Sequence, residues 1–362
     1  MKIINLALAA TAFLAMTTAC TSSHDTADNT VVEQTEQKDN PPMDEKARAL
    51  HDKCSNLNDR DACFYLGLAY YNGEGVRQDR SMSASYWEKA CSQGVEEGCF
   101  NVGILYGNGH GVKQDYQLAN HYYKKACDMN HSTACNNLGF YYEKGKGVKQ
   151  DFRQANKYYL KACDLNEDKG CSNLGDLYRD GEGVKQDYRQ ANKYYLKACD
   201  MNNGGGCSGL GYSYNVGRGV KKDLLRARKY YLKACDLNND AGCENLGDLY
   251  YKGEGVKQDY HQANQYFKKA CDLDNGNSCN TLGFLYDKGQ GVRQDFQQAL
   301  YYYQKSCDLK EGMGCDNVAV QYQLGEGVRQ NINTAKWYYG KACDFGYQKG
   351  CDNYRKLNER GY

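Results

Sequence analysis

Apolar and polar positions follow two helical registers along this chain, and both return on a fixed period. In the stretch CNNLGFYYEKGKGVKQDFRQANKYYLKACDLNEDKGC, from Cys135 to Cys171, Leu138, Gly139 and Tyr142 recur at i, i+1 and i+4, and Ala155, Tyr159 and Ala162 at i, i+4 and i+7. Each set lies on one face of a helix, so the pattern predicts two amphipathic helices. Gly145 and Gly147 end the first helix and supply the permissive turn, with Val148 tucked inward to anchor it. Asp151 caps the second helix, and Gln154 is placed to complete a capping box, as are Asp187/Gln190, Asp259/Gln262 and Asp295/Gln298. Lys161, in the last turn, suits the negative end of that helix's own dipole. Glycine in mid-helix costs about 1 kcal/mol in propensity, so Gly139, repeated as Gly103, Gly175 and Gly211, marks a close helix crossing, which Ala319 loosens in the last unit. The doubled tyrosines such as Tyr158 and Tyr159 read as core, one facing its own unit and the other a neighbour.

The period is 36 residues: Cys99, Cys135, Cys171, Cys207, Cys243, Cys279, Cys315 and Cys351 mark it, and the series from Cys91 to Cys343 keeps the same step. A fixed period in this range signals stacked helical units, each burying its apolar face against its neighbours. The expected fold is therefore all-α, an α/α superhelical solenoid of eight 36-residue disulfide-bridged helix-turn-helix repeats over residues 55–350. MDEKARALHDKC at 43–54 reads as an N-terminal cap helix, and 351–362 as a C-terminal cap helix. Ahead of them, Lys2 and the apolar run Ile3 to Met16 read as a signal peptide over 1–19. Thr17, Thr18 and Ala19 before Cys20 resemble a bacterial lipobox, with Thr17 where leucine is usual, and the resemblance implies a lipidated cysteine, followed to residue 42 by a polar, acidic, disordered tether.

Composition sharpens this picture. The charges nearly cancel, 46 basic against 45 acidic, so no basic face points to nucleic acid. Two prolines and 34 tyrosines suit a helical chain packed by aromatic rings. The 19 cysteines resolve into nine local pairs and the odd Cys20. Zinc would call for C-x2-C clusters, which are absent, so the pairs read as disulfides: Cys54–Cys63, Cys91–Cys99, Cys127–Cys135, Cys163–Cys171, Cys199–Cys207, Cys235–Cys243, Cys271–Cys279, Cys307–Cys315 and Cys343–Cys351. Such bonds persist outside the cytoplasm.

Catalytic sets are harder to find. Ser306 and Lys310 have the wrong spacing for a Ser-x-x-Lys nucleophile, and the Ser-Asp-Asn and Lys-Thr-Gly partners are missing. His24, His51, His110, His121, His131 and His261 are scattered, which argues against a metal site. Asp176 and Asp248 share a position but stand two units apart, roughly 20 Å, too far for a glycosidase pair. No catalytic residue, metal or cofactor is expected. Residues that build the unit must recur, whereas residues that meet a partner need not, so the variable positions of the first helices are the candidate binding face. Phe64, Leu68, Tyr71, Phe100, Ile104 and Phe140 predict an apolar groove near the N-terminus, continued by Tyr212 and Phe284.

The run A-C-x7-C-x2-L-G-x2-Y-x2-G-x-G-V-x-Q-D-x3-A-x2-Y-Y-x-K-A-C, held from about Lys53 to Tyr354, resembles the Sel-one-like repeats, relatives of tetratricopeptide repeats. With its cysteine pairs the chain is similar to the Helicobacter cysteine-rich protein group. The resemblance implies secreted solenoids whose first helices line a concave surface. It carries two functional expectations: a scaffold or adaptor, immunity-type or envelope-assembly in its narrower forms, or a penicillin-binding protein with weak β-lactamase activity. The expectation adopted is a monomeric lipoprotein, secreted across the inner membrane and held periplasmic or at the cell surface on the outer membrane. Its concave face binds a protein or peptide of the bacterial envelope.

Overall fold

One glycine sets the spacing of each of the first seven units. A Cβ placed on Gly139 would stand 2.7 Å from the Tyr159 ring, so the first helix can press onto that ring only without a side chain. Gly103 and Tyr123, Gly175 and Tyr195, and Gly211 and Tyr231 repeat this contact. The computed structural model describes residues 43–362, in which 18 helices follow one another. In chain order they are α1 (Glu45–Asn56), α2 (Arg60–Asn72), α3 (Arg80–Ser92), α4 (Glu96–Asn108), α5 (Tyr116–Asp128), α6 (Ser132–Lys144), α7 (Phe152–Asp164), α8 (Asp168–Asp180) and α9 (Tyr188–Asp200). Then come α10 (Gly204–Val216), α11 (Leu224–Asp236), α12 (Asp240–Lys252), α13 (Tyr260–Asp272), α14 (Gly276–Lys288), α15 (Phe296–Asp308), α16 (Gly312–Leu324), α17 (Ile332–Asp344) and α18 (Gln348–Glu359). The even-numbered helices α2 to α16 are the first helices of eight units and the odd-numbered α3 to α17 the second, with α1 and α18 at the two ends. Each helix packs on its sequence neighbours, and adjacent first helices also touch. This is the all-α solenoid that the period predicts. The signal peptide, Cys20 and the tether lie outside the described residues.

Both tyrosines of the doublet face their own first helix, and they diverge to opposite neighbours, which revises the expected division. Tyr159 is fully buried and packs on Leu174 and Leu177 of the following unit. Tyr158 stacks on Tyr142 of its own unit, with centroids 5.5 Å apart, and joins the cluster around Cys127 and Cys135 of the preceding junction. Every unit has such a stacked pair, from Tyr70–Tyr86 to Tyr322–Tyr338, forming an unbroken ladder of offset rings.

The helix ends correct two further expectations. Asp151 Oδ1 accepts from the Arg153 and Gln154 backbone N–H groups, as an N-cap should. Its own N–H, however, donates to Tyr142 O at 2.9 Å, which leaves Gln154 no donor with which to close a capping box. The turn geometry, by returning the chain to the first helix, has taken that bond. Lys161 reaches back one unit and donates to Cys127 O at 2.6 Å, so it caps the preceding second helix. Lys89, Lys197, Lys233 and Lys305 do the same to Cys54, Cys163, Cys199 and Cys271. After each second helix the chain turns through a left-handed residue, Asn130, Asn166, Asn202 and Asn238 among them. A disulfide then ties it to the next first helix, and all nine expected pairs are formed.

Candidate binding face on the first helices

Three pairs of adjacent first helices are linked by polar rungs, in which the residue after the second cysteine of one unit meets the asparagine two places after that cysteine in the next. Asn173 donates to Asn136 Oδ1 at 3.0 Å, Asn317 to Asn280 at 2.7 Å and Asn353 to Asp316 at 3.0 Å. At the centre of the array this ladder stops. Gly209 stands where the rung asparagine would be, opposite Ser172, and Asn245 turns back to Ala241 O at 2.7 Å instead of crossing to Ser208. Helix α10 carries no charged residue and presents Gly205, Ser208 and Gly209 as a bare floor. The result is a cradle of 680 Å³ between α8 and α12. Ser208 is 9% exposed and lines it, and among the described residues no hydrogen bond reaches its hydroxyl.

The cradle's walls are polar and preorganised. Arg179 pairs with Asp176 and Asp180, both at 2.7 Å, while the Tyr195 hydroxyl donates to Asp176 at 2.6 Å. Burial pushes the Asp176 carboxyl up, against the lowering effect of that hydroxyl and of Arg179. At one end the Arg218 guanidinium lies over Tyr188 and Tyr212, 5.6 and 5.5 Å from their centroids. Beyond the other wall, burial raises Glu244, and Asp248, Asp240 and Glu311 add to the rise against a bond from Asn275. The first helices α2 to α16 together carry 12 acidic and 6 basic residues, and the second helices α3 to α17 carry 8 acidic and 19 basic. A near-neutral chain thus has two faces of opposite sign.

The structure divides the eight predicted binding residues. Phe64, Leu68 and Tyr71 are half-buried against Trp87, Val102 and Leu105, and Phe100 and Ile104 against the Tyr123 and Leu138 cluster. Phe140, Tyr212 and Phe284 are more open, at 36, 38 and 37% exposure. Those three stand in alternate units, and each has a cation by its ring: Lys146, Arg218 and Lys288. In the units between them the same position holds Asp176, paired with Arg179, and Asp248, paired with Lys252. His131 caps α6 by accepting from the Ala134 N–H, stacks on Phe100 and contacts Glu97 at 3.2 Å, holding that carboxyl low. Ser306 is fully buried and Lys310 sits in the turn beyond it, so they form no nucleophile pair. Among the described residues no three His, Cys, Asp or Glu side chains gather as a metal site, and no helix is long and apolar enough to cross a membrane. The cradle is the feature missed in the sequence, although the run GGGCSG at 204–209 signals it by removing side chains that other units carry.

Comparison with known proteins gives the fold its relatives. The crystal structure of c5321, a protective antigen of uropathogenic Escherichia coli, matches at 31% identity and a TM-score of 0.70, over 87% of this chain and 67% of that one. A Sel1 repeat protein of Oxalobacter formigenes matches at 21% identity and 0.66, over 86 and 89%. Helicobacter pylori cysteine-rich protein B is 37% identical over 37% of this chain and 96% of its own, with a TM-score of 0.31. No curated protein matches the sequence. The Sel1 repeat model fits eight successive segments, 60–95, 96–131, 132–167, 168–203, 206–239, 241–275, 277–311 and 313–347. These segments follow the eight helix pairs from end to end, and the chain belongs to the Sel1 repeat family.

Proposed function

We propose that the chain is an extracytoplasmic scaffold whose first-helix face binds a partner protein or peptide. One observation carries the reading. The frame of glycines, tyrosines, caps and cysteines returns in every unit, while the first-helix face changes from unit to unit and is stripped at α10 to leave a polar, preorganised cradle. A cleft with an aromatic flank and a few convergent polar groups suits recognition of another chain. Nine disulfides belong to an oxidising compartment, which supports a site of action outside the cytoplasm. Anchorage through a lipidated Cys20 on the outer membrane, with residues 21–42 as tether, is the narrower form of that reading. An immunity-type factor and an envelope-assembly adaptor are the narrower forms of the binding role, and they differ in whether the partner is a toxic enzyme.

The test is capture of envelope proteins by the mature, oxidised chain. It runs beside Tyr212→Glu, which blocks the cradle's aromatic flank, and Phe100→Glu with Ile104→Glu, which blocks the N-terminal groove. A protein retained by the parent and lost with Tyr212→Glu places recognition at the cradle; loss with the paired change places it at the groove. Identical capture by all three would overturn the first-helix reading. For the anchor, the mass and membrane association of the mature chain are compared with those of Cys20→Ala, and no change in either would remove it.

A further inference from the structure

We propose that the opposite face, made by the second helices α7, α9 and α11, is a self-complementary surface on which a second copy of this chain docks. In these helices the exposed positions fall on one stripe, and across the three they form parallel rows. Lys157, Lys193 and Lys229 make a cationic row; Leu160, Leu196 and Leu232, exposed at 37, 40 and 40%, make an apolar row; Asp164, Asp200 and Asp236 make an anionic row. Along the helix the lysine lies three residues before the leucine and the aspartate four after it, so the charged rows flank the leucines at about 4.5 and 6 Å. A two-fold axis running along the leucine row reverses the helix direction. It therefore lays leucine on leucine, and each lysine on the aspartate of the same helix in the second copy. The result is an isologous contact with six interchain ion pairs.

The neighbouring units show that this pattern is local. In α5 and α13 the leucine is replaced by Lys124 and Lys268, which pair with their own Asp128 and Asp272 at 2.6 and 2.8 Å. The other three units have Glu88, Gln304 and Gly340 there. Where the leucines occur, the lysine and aspartate rows stay without an ion-pair partner among the described residues. Lys157 and Lys193 lie instead over their own Tyr158 and Tyr194 rings, 5.7 and 5.9 Å from the centroids. Three helices about 10 Å apart, each contributing about 15 Å of length, bury on the order of 900 Å² in total, the size of a weak, reversible dimer. The contact uses none of the first-helix face, so it is independent of the binding role above. It replaces the monomer expected from the sequence.

Sedimentation equilibrium of the mature, oxidised chain over rising concentration decides the matter. The parent chain is expected to dimerise reversibly and to do so more weakly at high salt, because the pairs are at the surface. Lys193→Glu and Asp200→Lys are each expected to weaken association at least tenfold, since each places like charges across the axis twice. Mixing the two variants restores a heterodimer in which every pair is again opposite in sign, and Leu196→Ser weakens both. A parent chain monomeric at all concentrations overturns the proposal, as does a mixture that associates no better than its components. Unchanged helical circular dichroism in each variant separates these outcomes from unfolding.

Discussion

Glycine 139 and tyrosine 159 show how little room one residue has in a repeating frame. Gly139→Ala would put a methyl 2.7 Å from a ring that is itself fully buried, so the ring or the helix must move. The expected cost is about 1–3 kcal/mol, read as a lower urea midpoint. The last unit carries this change naturally as Ala319, still fully buried beside Tyr339. Lys310 is the converse case. It holds φ at +67° in a turn where other units place asparagine, aspartate or glycine, so Lys310→Gly is expected to raise stability by about 1 kcal/mol in the same urea titration. The sequence announces the first of these positions, because a glycine costs helix propensity and so recurs only for a packing reason. It announces the second only as a lysine in a series of asparagines and an aspartate.

At the scale of the element, each second helix carries its own start in a capping Asp or Asn and each first helix its own stop in a left-handed glycine, which is why those ends are readable from the chain. Asp151 caps α7, and Gly145, with φ at +66°, ends α6. The destinations of long side chains are not readable in this way. Lys161 acts 34 residues upstream, on a carbonyl whose position depends on how two units stack. Lys161→Met is expected to cost about 1 kcal/mol by removing a charge-assisted hydrogen bond, and to speed amide exchange at the end of α5 rather than in α7. Faster exchange confined to α7 would return the lysine to its own helix dipole. The disulfide at that junction spans eight residues and contributes about 2–3 kcal/mol in the chain-entropy model. Cys127→Ser with Cys135→Ser is expected to lower protection in α5 and α6 first and to leave distant units intact, because such arrays interact only through nearest neighbours.

For the whole molecule, the architecture follows from the period, whereas the place of the candidate binding face follows from exceptions to it. The N-terminal aromatics looked open in sequence because their partners, Trp87 and Val102, lie in other helices that close over them. The central cradle arises from missing side chains, which hydrophobic patterning does not register. The packed tyrosines give the array an alkaline limit. Burial pushes Tyr122 and Tyr339 up to about 12, helped by Glu88 beside the first and Asp316 beside the second. A folded pKa above the usual value near 10 means that the protonated ring is favoured in the fold. The resulting stability is full below about pH 10 and lost as pH rises through about 12. Melting temperature is therefore expected to fall across that window, with tyrosinate absorbance and loss of helix sharing a midpoint; full ionisation near pH 10 with the helices intact would contradict this.

The clasp at every junction also fixes how the chain would respond to being pulled. Under tension along the array, a unit torn open cannot release all of its 36 residues. The eight-residue span between paired cysteines is bypassed by the disulfide, leaving about 28 residues, or roughly 95 Å of contour, to be drawn out before the next clasp takes the strain. Reduction would lengthen each such step by more than a quarter, so the redox state of the surroundings sets the extensibility of the array.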